Sequence, residues 1–197
     1  MGKRLFDLVI AAAALLLLSP LLLGIALWIR LDSPGPALFR QERVGRHGRT
    51  FRIHKFRTMR AQAAGLPLTV GADARITRAG RWLRTRRLDE LPQLIDVLKG
   101  DMSLVGPRPE VPRYVAHYPP ALREQVLSVR PGITDPASLA HLDEDALLAR
   151  APDPERAYVE QVLPAKLALA AGYARSATLA SDVRILLRTL RLLASRG

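Results

Sequence analysis

A run of 22 residues without a formal charge, from Leu8 to Ile29, constrains the fold of this chain more than any other feature. As one straight helix it would be roughly 33 Å long, close to the roughly 30 Å thickness of a bilayer's hydrocarbon core. A secretory signal peptide fits poorly, because Arg30, Leu31 and Asp32 stand where a cleavage site of small residues would follow. We therefore expect this segment to be embedded in a membrane.

A Ser-Pro pair at the middle of the run argues against a plain membrane span. Pro20 has no N–H to donate to the carbonyl of Leu16, which costs about 3 kcal/mol in an intact helix and more where lipid surrounds the freed carbonyl. The hydroxyl of Ser19 can bond back to a carbonyl three or four residues earlier, and Leu16 lies within that reach. The pair therefore predicts a tolerated bend rather than a break.

Basic residues flank the run on both sides and bear on its topology. The cytoplasmic flanks of membrane helices are enriched in Lys and Arg, so the positive-inside rule favours placing both ends on the same side. A re-entrant helix over residues 1–33 that turns at Ser19–Pro20 satisfies this rule. Proline-kinked spanning helices are also common, and the segment alone leaves both topologies open. The flanking residues are Lys3, Arg4, Arg30, Arg40 and Arg43.

Residues 34–197 have the pattern of a helix-rich α/β domain of the α+β type. Alternating residues on either side of "GRHG" (45–48) predict a small β-hairpin. Apolar spacing predicts helices over 75–87, up to Gly100, over most of 141–177 and over 182–193, with a short strand and a proline-stiffened loop at 101–113. The last helix is basic and amphipathic, which suits the surface of an anionic bilayer. Packing on the domain with a solvated basic face is the alternative.

The composition points to an anionic partner. Thirty Lys and Arg against eighteen Asp and Glu give a formal charge of +12, and only four of the basic residues are lysine. Arginine grips phosphate with a planar fork, so nucleic acid, lipid headgroups and a phosphorylated small molecule are the candidates. The absence of cysteine excludes disulfides and thiolate metal sites. Four histidines are present, and none has metal-ligand spacing with another: His47, His54, His117 and His141.

Two adjacent acids open the helix that ends at Gly100. Taken alone, Asp89 and Glu90 are best explained as capping residues, with Asp89 as the N-cap. Neighbouring side chains at a helix start point about 100° apart, so one carboxylate could instead attack phosphorus while the other handles a second reactant. Such an attack on a diphosphate needs Mg²⁺ and nearby cations. The candidate cations are Lys55, Arg57 and Arg108, the last held between Pro107 and Pro109.

Motifs along nearly the whole chain resemble those of the bacterial sugar transferases, the small monotopic phosphoglycosyl transferases. The longest, "LDELPQLIDVLKGDMSLVGPRPE" at 88–110, is highly specific. Two departures stand out: Arg87 replaces a frequent Ser or Thr, and "GITD" replaces the "GITG" of many members. The other matching segments are "KRLFD" (3–7), "FRQERVGRHGRTFRIHKFRTM" (39–59), "RITRAGRWLR" (75–84), "RPGITDPASL" (130–139), "LPAKLALAAGY" (163–173) and "DVRILLRTL" (182–190).

The resemblance implies transfer of a sugar-1-phosphate from a UDP-sugar to polyprenyl (undecaprenyl) phosphate, with release of UMP, as the first membrane step of bacterial glycoconjugate synthesis. Asp89 would be the nucleophile, would form a covalent phosphosugar intermediate and would lie against Mg²⁺. Glu90 would assist the acceptor through its proton, Arg108 would hold a phosphate, and Lys55 would lie near the site. The match at Ser19–Pro20 favours the re-entrant topology.

The implied location is the cytoplasmic face of the bacterial inner membrane, with residues 34–197 forming a catalytic domain on its surface. The expected partners are the UDP-sugar, polyprenyl phosphate and membrane lipids, without nucleic acid; a homodimer is left open. Two other functions are kept as alternatives, a membrane-tethered nucleic-acid-binding protein and a noncatalytic scaffold of glycan assembly. The sequence does not specify the sugar.

Overall fold

The structure, a computed structural model, describes residues 2–60, 73–139 and 144–194. Helix α1 (Gly2–Asp32) contains the whole apolar run and continues through Pro20. The hydroxyl of Ser19 donates to the carbonyl oxygen of Leu16 at 2.8 Å, which confirms the predicted bond that relieves the proline's missing donor. Of the helices described, α1 is the one long and apolar enough to cross a membrane by length and composition.

One side of α1 packs on the rest of the protein and the other is exposed. Ala11 near the start and Ile29 near the end are almost fully buried. Leu16 and Leu17 are each 80% exposed and Leu23 is 72% exposed, and leucines nearer both ends are exposed as well. The helix therefore offers an apolar surface to its surroundings along its length.

The predicted hairpin is present. Strands β1 (Leu38–Val44) and β2 (Thr50–Phe56) pair antiparallel, with Leu38 opposite Phe56 and Val44 opposite Thr50. A 3-10 turn at Arg46–Gly48 joins them. The "GRHG" segment is thus the turn of a β-hairpin.

Two short helices and a 3-10 turn follow. Helix α2 (Arg78–Thr85) begins after Thr77, whose hydroxyl accepts a hydrogen bond from the backbone N–H of Gly80 at 2.9 Å. A 3-10 turn (Leu88–Gln93) leads directly into helix α3 (Leu94–Lys99), which Gly100 ends with a φ of 93°. The N-cap of the 3-10 turn is Arg87, so the expectation that Asp89 caps the helix is wrong.

A second, parallel pair of strands positions the proline-rich loop. Strand β3 (Ser103–Val105) lies beside β4 (Gly132–Thr134), and the Pro-Arg-Pro segment leaves the end of β3. The two backbones are so close that a Cβ on Gly132 would lie 2.0 Å from the backbone nitrogen of Gly106. Glycine is therefore required at position 132, opposite the residue where the loop begins.

The remaining chain is mostly helical. The helices predicted over most of 141–177 and over 182–193 are present, although residues 140–143, including His141, lie outside the described residues; α4, α5 and α6 were not predicted. The helices are α4 (Pro112–Val115), α5 (Pro120–Val126), α6 (Pro136–Leu139), α7 (Glu144–Arg150), α8 (Pro154–Ala157), α9 (Leu163–Ser176) and α10 (Leu179–Ala194), with a π-helical turn at Tyr158–Val162 between α8 and α9. With two small sheets, this is the predicted helix-rich α/β fold.

The buried side chains of the described residues form three clusters. One joins β1 to α4, α5 and the α8–α9 helix. A second joins the first half of α1 to α3, β3 and Tyr173 of α9. The third joins the second half of α1 to α2 and Phe56 of β2. The two halves of α1 therefore belong to two different clusters of the same domain.

Candidate active site

Asp89 and Glu90 lie side by side in the 3-10 turn between α2 and α3. Both are buried, with only 3% and 7% of their surfaces exposed. Lys55 reaches them from β2: its Nζ is 2.8 Å from Oδ2 of Asp89 and 3.3 Å from Oε1 of Glu90. The structure thus places the predicted lysine between the two predicted acids, which are 34 and 35 positions away along the chain.

Arg108 approaches Glu90 from the other side. Its Nη2 is 2.6 Å from Oε1 and its Nη1 is 3.3 Å from Oε2, so the guanidinium faces the carboxylate with its fork. About a third of the Arg108 side chain remains exposed, which leaves it within reach of a ligand.

The two prolines beside Arg108 are buried and hold its loop through their carbonyls. The carbonyl of Pro107 accepts from the backbone N–H of Gly132 at 2.9 Å. The carbonyl of Pro109 accepts from Nη1 of Arg43 at 3.1 Å. Pro107 and Pro109 therefore orient Arg108 rather than contact a ligand through polar side-chain groups, which proline lacks.

The charges around Glu90 determine its ionisation. Burial favours the neutral acid, but the positive charges of Arg108 and Lys55 outweigh burial and hold the pKa of the Glu90 carboxyl well below its usual range. In return, Glu90 raises the pKa of the Arg108 guanidinium. Glu90 is therefore an anion at neutral pH while these cations contact it, and in that state it is a weak proton acceptor.

Arg57 does not reach the acid pair, although the sequence proposed it as a phosphate-binding cation. Its guanidinium is buried at the end of α1, where it donates to the carbonyls of Ile29, Ser33, Pro34, Gly35 and Pro36 and to the hydroxyl of Ser33. Most of these acceptors belong to the turn that follows the helix, and the buried arginine satisfies them here. The structure gives Arg57 the role of anchoring the exit of α1.

Sequence reasoning did not single out Arg87 as a site residue, although it noted the departure from Ser or Thr. Arg87 has a φ of 57°, a left-handed conformation that few residues other than glycine adopt. Its side chain is exposed and has no hydrogen bond or ion pair within the described part of the chain. Its charge is among those that lower the pKa of Glu90. It is therefore a further cation beside the acid pair.

The residues present fit a magnesium ion held largely by substrate. Oδ1 of Asp89 accepts no hydrogen bond from the described residues, while Oδ2 contacts Lys55. No group of three acidic or histidine side chains within residues 2–60, 73–139 and 144–194 forms a metal cage. Mg²⁺ commonly binds through one or two carboxylates plus substrate phosphates, and the free oxygen of Asp89 matches that mode.

A family model described as "Bacterial sugar transferase" matches residues 1–196. The chain belongs to that family. This confirms the resemblance drawn from the motifs, whose longest segment contains Asp89, Glu90 and Arg108.

The curated relatives carry names of sugar phosphotransferases. The chain is 45% identical over 143 residues to a UDP-N-acetylgalactosamine-undecaprenyl-phosphate N-acetylgalactosaminephosphotransferase of Aeromonas hydrophila, covering 71% of this chain and 34% of the relative. It is 47% identical over 144 residues to a UDP-glucose:undecaprenyl-phosphate glucose-1-phosphate transferase of Caulobacter vibrioides, covering 71% of this chain and 54% of the relative. The aligned chain thus spans about a third to a half of these relatives, which differ in the sugar named.

Proposed function

We propose that the protein is a phosphoglycosyl transferase that moves a sugar-1-phosphate from a UDP-sugar to undecaprenyl phosphate and releases UMP. The observation that carries this proposal is the buried cluster in which Lys55 and Arg108 hold Asp89 and Glu90. Family membership and the names of the relatives support the reaction class. The two sugars in those names differ, so the donor sugar stays open.

The first step is an exchange at the phosphorus that carries the sugar. A carboxylate oxygen of Asp89 attacks this phosphorus, the new O–P bond forms, and the bond from phosphorus to the bridging oxygen breaks. UMP leaves with that oxygen and its electron pair, and the phosphosugar remains esterified to Asp89. Lys55 and Arg108 are placed to offset the negative charge of the diphosphate. A bound Mg²⁺ would add charge neutralisation at the phosphate oxygens.

The second step returns the carboxylate. A phosphate oxygen of the polyprenyl phosphate attacks the same phosphorus, the aspartyl O–P bond breaks, and the lipid diphosphate sugar leaves. Glu90 can take a proton from this acceptor only if its own pKa rises. Burial raises that pKa once Arg108 turns from Glu90 to a substrate phosphate. Substrate binding and the basicity of Glu90 are thereby linked through one guanidinium.

The contacts of α1 support the re-entrant topology. Lys3, near its start, pairs with Asp182 of α10 and donates to the carbonyl of Val105 at 3.2 Å. Asp32, at its end, accepts from the backbone N–H of Ala79 at 3.1 Å. A spanning helix would place about 30 Å of hydrocarbon between its ends, and one domain could not then contact both. We infer that both ends lie on the side of the domain while the exposed leucines enter the lipid.

Helix α10 supports a membrane-surface location for the domain. Several of its apolar side chains are exposed, among them Leu187 at 50% and Leu190 at 61%, alongside exposed arginines 184, 188 and 191. Such a surface fits the boundary between headgroups and acyl chains. Because nucleotide sugars are made in the cytoplasm, we place the domain on the cytoplasmic face of the bacterial inner membrane.

The topology can be tested with single cysteines, because the chain has none of its own. Gly2 and Pro34 are exposed, and a Cβ on Gly2 would meet nothing within 4 Å. Cysteines placed there should both resist a membrane-impermeant thiol reagent in intact cells and should both react after permeabilisation. Reaction of just one of them in intact cells would indicate a span.

The reaction can be tested by UMP release from a panel of UDP-sugars, with purified protein, Mg²⁺ and undecaprenyl phosphate. We expect release with at least one donor and its loss in Asp89→Asn, which keeps the shape but not the nucleophile. Asp153→Asn, at the N-cap of α8, is the matched control and should retain the rate. Turnover of Asp89→Asn at the normal rate would refute the mechanism, and a folded protein inactive with every donor would support the scaffold alternative.

A further inference from the structure

A buried histidine and aspartate are hydrogen-bonded to each other on the elements that carry Lys55 and the acid pair. Nδ1 of His54 donates to Oδ1 of Asp96 at 2.5 Å, and the backbone N–H of His54 donates to Oδ2 of Asp96 at 2.8 Å. Asp96 is completely buried and His54 is 8% exposed. The carboxylate of Asp96 thus accepts hydrogen bonds from both the side chain and the backbone of His54.

These two hydrogen bonds lie directly beside Lys55, the lysine of the candidate active site. His54 and Lys55 are successive residues of β2, so their side chains point to opposite faces of the strand. Asp96 belongs to α3, which continues from the 3-10 turn that contains Asp89 and Glu90. The carboxylate of Asp96 therefore ties the element that carries Lys55 to the element that carries both acids.

The backbone carbonyl of Asp96 also connects α3 to the segment that leads to Arg108. Its carbonyl oxygen accepts from the N–H groups of Gly100 and Asp101, each at 3.1 Å, and of Met102 at 3.2 Å. These bonds set the direction in which the chain leaves α3 and enters β3, and β3 leads to the loop of Arg108. Asp96 therefore fixes the positions of the two segments that carry Lys55 and Arg108, the two cations that contact Glu90.

We propose that the His54–Asp96 pair is a positioning pair that holds Lys55 between the two acids. The inference rests on the proposed function, since it assigns the pair a part in that reaction. A buried carboxylate that loses its partner is costly, so the pair resists separation of β2 from α3. Displacing an active-site group by about 1 Å can lower a rate about 100-fold, and a pair that prevents such displacement has a kinetic effect without touching substrate.

A double-mutant cycle on the UMP-releasing activity tests whether the pair acts through Lys55. Asp96→Ala should lower kcat about 100-fold and leave the KM for the UDP-sugar within about twofold. In a Lys55→Met background the same change should lower kcat by less than about threefold, because the group it positions is gone. Asp96→Asn should stay within about threefold of the unmodified protein, because its amide oxygen still accepts from the backbone and its NH₂ can donate to Nδ1.

Two further variants separate positioning from general loss of stability. Asp153→Ala removes the N-cap of α8, far from the acid pair, and should have the same small effect in both backgrounds. His54→Ala leaves Asp96 its backbone bond and should lower kcat at least about tenfold, which keeps the proposal testable if Asp96→Ala does not fold. Equal effects of Asp96→Ala or His54→Ala with and without Lys55 would overturn the proposal.

An NMR measurement decides the same point without turnover. The chain has only four lysines, so protein labelled with ¹³C and ¹⁵N in lysine should give four Cε–Nζ signals. Asp96→Ala or His54→Ala should displace the Lys55 signal and leave that of Lys166, on α9, unmoved. An unmoved Lys55 signal would overturn the proposal. If the unmodified protein releases no UMP from any donor, the proposed reaction fails, while this signal still decides whether the pair positions Lys55.

Discussion

Replacing Arg57 by alanine should destabilise the protein rather than weaken substrate binding. Six acceptors bond to its guanidinium, at distances from 2.7 to 3.4 Å. The bonds to the carbonyls of Pro34, Gly35 and Pro36 are only partly buried, so those carbonyls can bond to water in the variant. The bonds to Ile29 and to the carbonyl and hydroxyl of Ser33 are buried. The carbonyl of Ile29 still accepts from the backbone N–H of Ser33 at 3.2 Å in the variant, so only the two Ser33 acceptors lose their partner.

The magnitude follows from those two acceptors. An unsatisfied buried polar group costs about 1 to 3 kcal/mol, so the free energy of unfolding should fall by about 2 to 6 kcal/mol. For a domain of this size each kcal/mol lowers Tm by about 2 to 4 °C, which gives a decrease of about 4 to 24 °C. Thermal unfolding in one detergent or nanodisc preparation measures it.

Two variants make this prediction specific. Arg57→Lys keeps the charge but cannot reproduce the planar fork, so its Tm should fall between those of the unmodified protein and Arg57→Ala. Arg52→Ala removes an exposed arginine of β2, the strand just before Arg57, and should change the unfolding free energy by no more than about 0.5 kcal/mol. The reasoning would be refuted if Arg57→Ala kept its Tm within 2 °C while the KM for the UDP-sugar rose about tenfold.

Three further predictions concern the site. Glu90, with its depressed pKa, contributes stability above its unfolded pKa of about 4.3, and this is lost as pH falls through the lower folded pKa; in Arg108→Gln the acid decline of Tm should therefore begin at a higher pH. Gly132→Ala should lower Tm and kcat together, because the new Cβ would collide with the backbone of Gly106. Arg87→Ser should raise the KM for the UDP-sugar about tenfold, because it removes a cation beside the acid pair. It should leave Tm within about 2 °C, because serine keeps the same left-handed backbone and the exposed arginine has no ion pair within the described residues.

Each of these has a control and an opposing result. Arg52→Gln, which removes an exposed arginine of β2, should leave the acid decline of Tm where it is; an identical decline in Arg108→Gln would contradict the electrostatic account. Gly172→Ala, where a Cβ meets nothing within 4 Å, is the control for Gly132→Ala, and equal Tm values for the two would contradict the close approach. Arg81→Gln, on the exposed side of α2, is the control for Arg87→Ser. An unchanged KM in Arg87→Ser would remove Arg87 from the site.

Local pattern was enough to predict the hairpin and the longer helices, and a family motif identified the acid pair. The hairpin follows from alternation around Gly45–Gly48, and the bond from Ser19 to Leu16 follows from helix geometry, so both were visible in short windows of sequence. Asp89 and Glu90 were found through a long family motif. These features depend on residues close together along the chain or on a segment too specific to arise by chance.

The errors and omissions arise from tertiary contacts that no short window contains. Arg57 follows β2 two residues after Lys55, so the sequence suggests a second cation at the site. The end of α1 lies beside Arg57, however, and its acceptors bind the guanidinium N–H groups. The His54–Asp96 pair joins residues 42 positions apart. The left-handed backbone of Arg87 could not be read from sequence, because arginine carries no preference for it.

The covalent intermediate on Asp89 is the centre of this account, and intact-protein mass spectrometry tests it most directly. Protein mixed with its UDP-sugar and Mg²⁺, without polyprenyl phosphate, and quenched in acid should gain the mass of one sugar phosphate, mapped by proteolysis to the peptide containing Asp89. Asp89→Asn should show no gain, and adding polyprenyl phosphate before the quench should remove the gain from the unmodified protein. Formation of the lipid-linked product with no such mass on the protein at any time would contradict the account.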